Sequence, residues 1–167
     1  MKKRPDCIIN IHESPREPSG RYPGSDELLS AGIPLGRLTG LKRIGIHHER
    51  LPAGRRTSFP HAESTEEEFV YVLTGHPSLW LDGELHPLKP GDGVGFPAGT
   101  GKSHSILNET RTTVELLVVG ERRPHDNQVF YPKHPERKAQ VGEAWWETPP
   151  PQTLGKHSGE PKIEKLK

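Results

Sequence analysis

From Leu38 to Tyr131 the chain is a succession of short strand-like runs, each stopped by glycine, proline or an Asp-Gly pair. That rhythm constrains the fold more than any other feature of the sequence. The alternating run Leu41 to His48 places Ile44, Ile46 and His48 on one face and His47 on the other. Phe69 to Leu73 is β-branched and aromatic and ends at Thr74-Gly75. Leu79 to Leu81 and Glu84 to His86 flank Asp82-Gly83, a pair suited to a two-residue hairpin turn with positive φ. Gly93 to Phe96, Ser105 to Asn108, Thr112 to Val119 and Gln128 to Tyr131 continue the series. Turn signals recur about every 8 to 12 residues, the spacing of an all-β sandwich or barrel. No long segment carries helical periodicity, so a helix-turn-helix reader of DNA is not expected.

The ends are of a different character. Residues 1–35 are polar, punctuated by Pro5, Pro15, Pro18, Pro23 and Pro34, and read as an arm, with one short strand expected at Cys7 to Ile11 and a helical turn at Asp26 to Leu29. Residues 36–131 form the β domain, and 132–167 a proline-rich, partly flexible extension. Trp145 and Trp146 in that extension need burial, expected on the outer barrel face. With 23 basic and 22 acidic residues the formal charge is +1, which gives no field for nucleic acid or an anionic membrane surface. Cys7 is the only cysteine, which fits a reducing compartment, and the first apolar run is too short for a signal or a membrane span. A cytoplasmic location is the expectation.

Two passages concentrate groups able to bind a metal. His61 and Glu63 are two apart, so on a strand both leave from one face, ~6.6 Å apart along the chain. Glu68 opens the Phe69 to Leu73 strand, expected to return antiparallel to the His61 segment, with Val70 and Val72 lining the interior beside it. His104 follows a loop containing Gly95, Pro97, Gly99 and Gly101, whose turns aim one imidazole without crowding it. Glu66 and Glu67 read as a solvated charge run, and His47, His76, His86, His125, His134 and His157 as surface residues. Arg55, Arg56 and Lys102 read as surface charge, with a weak hint of an anionic substrate.

The passages resemble the two signature motifs of the cupin superfamily. The first, in which a glycine precedes His-x-His, a glutamate and a closing glycine, matches Gly54, His61-Ala62-Glu63, Glu68 and Gly75. The second matches Gly91, Pro97-Ala98-Gly99, His104 and Asn108, with two extra residues before the histidine. The resemblance implies a double-stranded β-helix, a jelly-roll-like barrel holding one divalent ion, with His61, Glu68 and His104 as ligands. Glu63 stands where such proteins usually carry a second histidine. If it binds, the set of two imidazoles and two carboxylates suits Mn, Fe or Zn; if it swings away, a two-histidine, one-carboxylate triad leaves positions open and Glu63 becomes a general base. His48 is a further candidate for the pocket wall or proton transfer.

The resemblance admits an isomerase, dioxygenase or lyase acting on a small polar molecule, and alternatively a non-catalytic ligand-binding or regulatory module. It also implies a homodimer, for which the arm is a natural segment to exchange.

Overall fold

A computed structural model describes residues 4–122 and 125–163. The chain runs through β1 (Ala31–Ile33), α1 (Leu35–Leu38), β2 (Ile44–Leu51), β3 (Arg55–Arg56), β4 (Ala62–Glu63), β5 (Glu68–Thr74), β6 (Ser78–Leu81), β7 (Glu84–Pro87), β8 (Gly93–Phe96), β9 (His104–Asn108), β10 (Val114–Glu121), β11 (Val129–Phe130) and α2 (Arg137–Val141). The β6–β7 hairpin turns at Asp82 (φ 46°) and Gly83 (φ 88°), the pair of left-handed residues that a two-residue turn requires. The expected strand at Cys7 to Ile11 and helical turn at Asp26 to Leu29 do not form; the arm instead contributes β1, and α1 follows Pro34. Arm segments without a periodic apolar pattern take their shape from what they pack against.

Two antiparallel sheets face each other, one ordered β1-β2-β10-β5-β8 and the other β3-β9-β6-β7, with β4 and β11 as a separate pair. In antiparallel strands, directly opposed residues share a face. The register therefore resolves the first sheet into rungs pointing inward: Gly45, Gly120, Glu68 and Phe96; then His47, Val118, Val70 and Val94; then Glu49, Leu116 and Val72; then Leu51 and Val114. Opposite them stand His104, Ile106, Leu79 and Leu81. Leu51, Val70, Val72, Leu79, Phe96, Ile106, Val114 and Leu116 make one core cluster. Each such side chain contributes about 1.5–3 kcal/mol on burial. Asn108, fully buried, closes the β9–β10 turn: its amide donates to the carbonyls of Leu51 (2.8 Å) and Thr112 (2.7 Å) and its oxygen accepts from the Thr110 hydroxyl (2.6 Å).

The register also places the histidines of β2. His48 lies across from Leu117 and Tyr71, on the outer face of the sheet, where it is 3% exposed and sits 3.6 Å from Glu115. It does not line the barrel, and His47 does. The alternation of β2 was legible, but which face turns inward was not: both faces of β10, its neighbour, are apolar.

The residues after Val129 wrap the barrel. Tyr131 and Trp145 join Phe59 in a second buried cluster, so Trp145 packs behind His61 rather than on an open outer face. Residues 149–163 then run across the second sheet. Gly155 N–H donates to Asp82 O (2.6 Å), Trp80 Nε1 to His157 O (3.1 Å) and Arg56 Nη1 to Gly159 O (2.9 Å), which buries Trp80 completely. The first three residues of the arm and the last four of the extension lie outside the described residues. Among the described residues no helix is long and apolar enough to cross a membrane.

Candidate metal centre

His61, Glu68 and His104 converge: one donor atom from each lies within 4.8 Å of the others. The backbone brings the two histidines together directly. His61 N–H donates to His104 O (3.2 Å) and His104 N–H to His61 O (2.9 Å), an isolated bridge just ahead of β4. The expected antiparallel return of β5 along the His61 segment is absent, because β5 pairs with β10 and β8 while β4 pairs with β11. Glu68 reaches the histidines from the facing sheet, its Oε1 3.9 Å from His104 Nε2.

Each imidazole has a fixed heading. His61 Nδ1 lies 2.9 Å from the Phe59 carbonyl, an acceptor only, so Nδ1 carries the proton and Nε2 presents its lone pair. The His104 ring stacks on Phe96 at 3.5 Å and 5°. Among the described residues, neither ring nitrogen of His104 has a partner in hydrogen-bond geometry, although the side chain is only 5% exposed. A buried polar group without a partner costs about 1–3 kcal/mol, an expense that a bound cation removes. Burial holds the His61 imidazole below its ordinary pKa, offset by the Phe59 carbonyl. Burial and the neighbouring His61 hold His104 well below it. Both rings are therefore neutral, the state in which imidazole ligates.

The carboxylates show the complementary shift. Burial, then the charges of Glu63, Glu49 and Glu66, raise the Glu68 carboxyl to about 8. Burial and Glu66 raise Glu63 to about 7, against a hydrogen bond from Asn127 Nδ2 to Glu63 Oε1 (3.4 Å). Acidic groups gathered in a buried site hold protons; a divalent cation displaces them. Two neutral imidazoles and one carboxylate are a donor set suited to Mn, Fe or Zn, so the residues fit the ion that the motifs imply. Glu63 leans toward Asn127 and is not part of the converging cluster.

Other sequence expectations fall elsewhere. Arg55 Nη1 donates to Ser19 Oγ (2.7 Å), and Arg56, 1% exposed, pairs with Glu27 (2.7 Å) and lies 4.4 Å over the Phe59 ring, so both guanidinium groups hold the arm. His47, expected at the surface, faces the interior together with Glu49; the pattern Gly45-x-His47-x-Glu49-x-Leu51, ending on a core leucine, is the signal that marks that face.

Comparisons with known proteins agree with this fold. A family model described as a cupin domain matches residues 47–120. A solved sugar phosphate isomerase from a cupin superfamily of Silicibacter pomeroyi superposes with a TM-score of 0.68 and 32% identity, covering 74% of this chain and 80% of that one. The chain belongs to the cupin superfamily. It is 28% identical to quercetin 2,3-dioxygenase of Bacillus subtilis over 72% of its length, and 30% identical to polyketide synthase CurC of Streptomyces cyaneus over 58% of its length. It spans only 39% and 58%, respectively, of those two relatives.

Proposed function

We propose that this chain is a metal-dependent enzyme acting on a small polar molecule, of isomerase, dioxygenase or lyase type, with His61, Glu68 and His104 as ligands and Glu63 as general base. The convergence of three donors from two facing sheets within 4.8 Å is the observation that carries the reading. A divalent ion held there supplies Lewis-acid polarisation of a substrate oxygen. The protein supplies the rest. Phe59 O and the Phe96 ring orient the two imidazoles, and Val70, Val72 and Ile106 keep the inner barrel dry beneath them. Glu63, with Oε1 held by Asn127 and its carboxyl raised to about 7, can take up and return a proton through Oε2 near neutral pH. The relatives named above as an isomerase and a dioxygenase support a reaction over passive binding.

The same reading includes a homodimer at work in the cytoplasm. Ile44, Phe69, Tyr71 and Leu73 are 47%, 44%, 37% and 38% exposed on the outer face of the first sheet, an apolar surface that a second copy would cover. Light scattering that gives the mass of one chain would remove this part.

Elemental analysis of untagged protein, followed by a turnover screen over sugar phosphates, keto acids and diketones, tests the main reading. Glu63→Gln is expected to keep the metal and lose turnover by about 100-fold or more. Metal-loaded protein that turns over nothing in the screen would point to the binding or regulatory module instead.

A further inference from the structure

The mouth rung of the first sheet has a composition that backbone geometry does not call for. Gly45 and Gly120 sit side by side, one residue in from the mouth ends of β2 and β10, with Glu68 next in the rung, and neither has a positive φ. Glycine inside a strand weakens it, so its presence in two neighbouring strands needs a spatial reason. Space is what it leaves. Among the described residues, a Cβ added to Gly120 would meet only Glu67 O, at 3.6 Å, and one added to Gly45 would meet nothing nearer than Gly120 O at 3.5 Å. Both glycines and Glu68 keep some solvent contact.

Polar groups surround this gap. The point where a Gly45 Cβ would stand is 3.7 Å from His47 Nε2 and 3.8 Å from Arg122 Cγ. Glu49, one rung deeper, accepts a hydrogen bond from Ser30 Oγ at 2.6 Å through Oε2, which leaves Oε1 for another donor. His47 Nδ1 and Glu49 Cγ both lie within 4.0 Å of the site of a Cβ on Gly32, so the imidazole and the carboxylate flank one another. A carboxylate oxygen accepts hydroxyl protons, and an imidazole beside it donates or accepts.

We propose that the gap over Gly45 and Gly120 is the substrate bay of the centre, and that it takes a small polyhydroxylated carbonyl compound whose hydroxyls are bound by Glu49 and His47. This rests on the metal-centre reading above and specifies its substrate class. The bay lies against Glu68, so a molecule seated in it extends from the ligand cluster toward the rim at Arg122.

The glycines make the test unusual, because filling the bay should not harm the fold. Valine suits a strand better than glycine, and its Cβ meets no close neighbour at position 120. Cobalt(II)-loaded wild type, Gly120→Val, Gly45→Ala and Glu49→Gln would be titrated with 1,3-dihydroxyacetone, reading the visible spectrum of the ion, with cobalt content and Tm measured on each. Wild type is expected to show a saturable change. Gly120→Val should keep its cobalt, melt at the same or a higher temperature, and bind about tenfold or more weakly. Gly45→Ala and Glu49→Gln should weaken binding by a smaller factor with cobalt retained. Unchanged binding in Gly120→Val would overturn the bay, and a wild-type spectrum indifferent to dihydroxyacetone would overturn the substrate class. Wild type that takes up no cobalt would instead overturn the metal centre itself.

Discussion

At the closed end of the barrel Leu51, Val114 and Leu116 are fully buried, hydrocarbon against hydrocarbon; at the mouth, a few residues along the same strands, Gly45, Gly120 and Glu68 leave a gap beside a carboxylate that burial pushes up to about 8. The strands are shared, so the difference is one of side chains alone. The deep rungs gain stability from every methyl group they hide. The mouth gives up packing at two glycines and gathers acidic groups, an arrangement that a fold selected for stability alone would not retain. What the contrast teaches is a division of labour along single strands: substitutions at one end should be felt in folding, and at the other in ligand binding.

The strongest test of that division is Glu68→Ala, which should take bound metal from about one per chain toward none and abolish turnover while the protein still folds. Metal retained at wild-type level would break the comparison at the mouth. Leu116→Ala is its counterpart: a loss of about 2–5 kcal/mol in denaturant unfolding with metal content unchanged.

The pH dependence sharpens it further. Glu68 and Glu63 bind protons more tightly when folded, with carboxyls raised to about 8 and about 7. They favour the metal-free fold below pH ~4.5, and that help is lost as pH rises through those values. Metal-free protein should therefore lose stability between about pH 5 and 8. Metal affinity should climb by about tenfold per pH unit toward pH 8 as the Glu68 proton is displaced, measurable by competition with a chelator. Affinity that is flat with pH would show that the carboxylate enters the site already ionised.

Smaller effects belong to the outer surfaces. Trp80→Phe removes the bond to His157 O and should cost about 1 kcal/mol without altering the metal. His48, held below its ordinary pKa by burial, resists protonation in the folded state. The stability tied to its neutral form is complete above pH ~6.5 and declines as pH falls below it, so His48→Gln should flatten the acid limb of the stability profile.

Much of this was legible in the residues. His61, Glu68 and His104 could be found because turn-forming residues fix their spacing, and Asp82-Gly83 announced its hairpin. His47 and Glu49 were hidden because β2 is mixed on both faces, and only Leu51 at its end marks which one turns inward. The extension after Glu147 looked like a linker because it is docked largely through main-chain bonds, such as Gly155 N–H to Asp82 O, which leave almost no imprint on side-chain pattern.

The phenyl ring of Phe96, lying flat on His104, has a practical consequence. A paramagnetic ion taken up by that histidine would sit close to the aromatic protons of Phe96 and, across His61, of Tyr131. Their resonances would broaden or shift on loading, giving an internal gauge of occupancy in solution that needs no substrate.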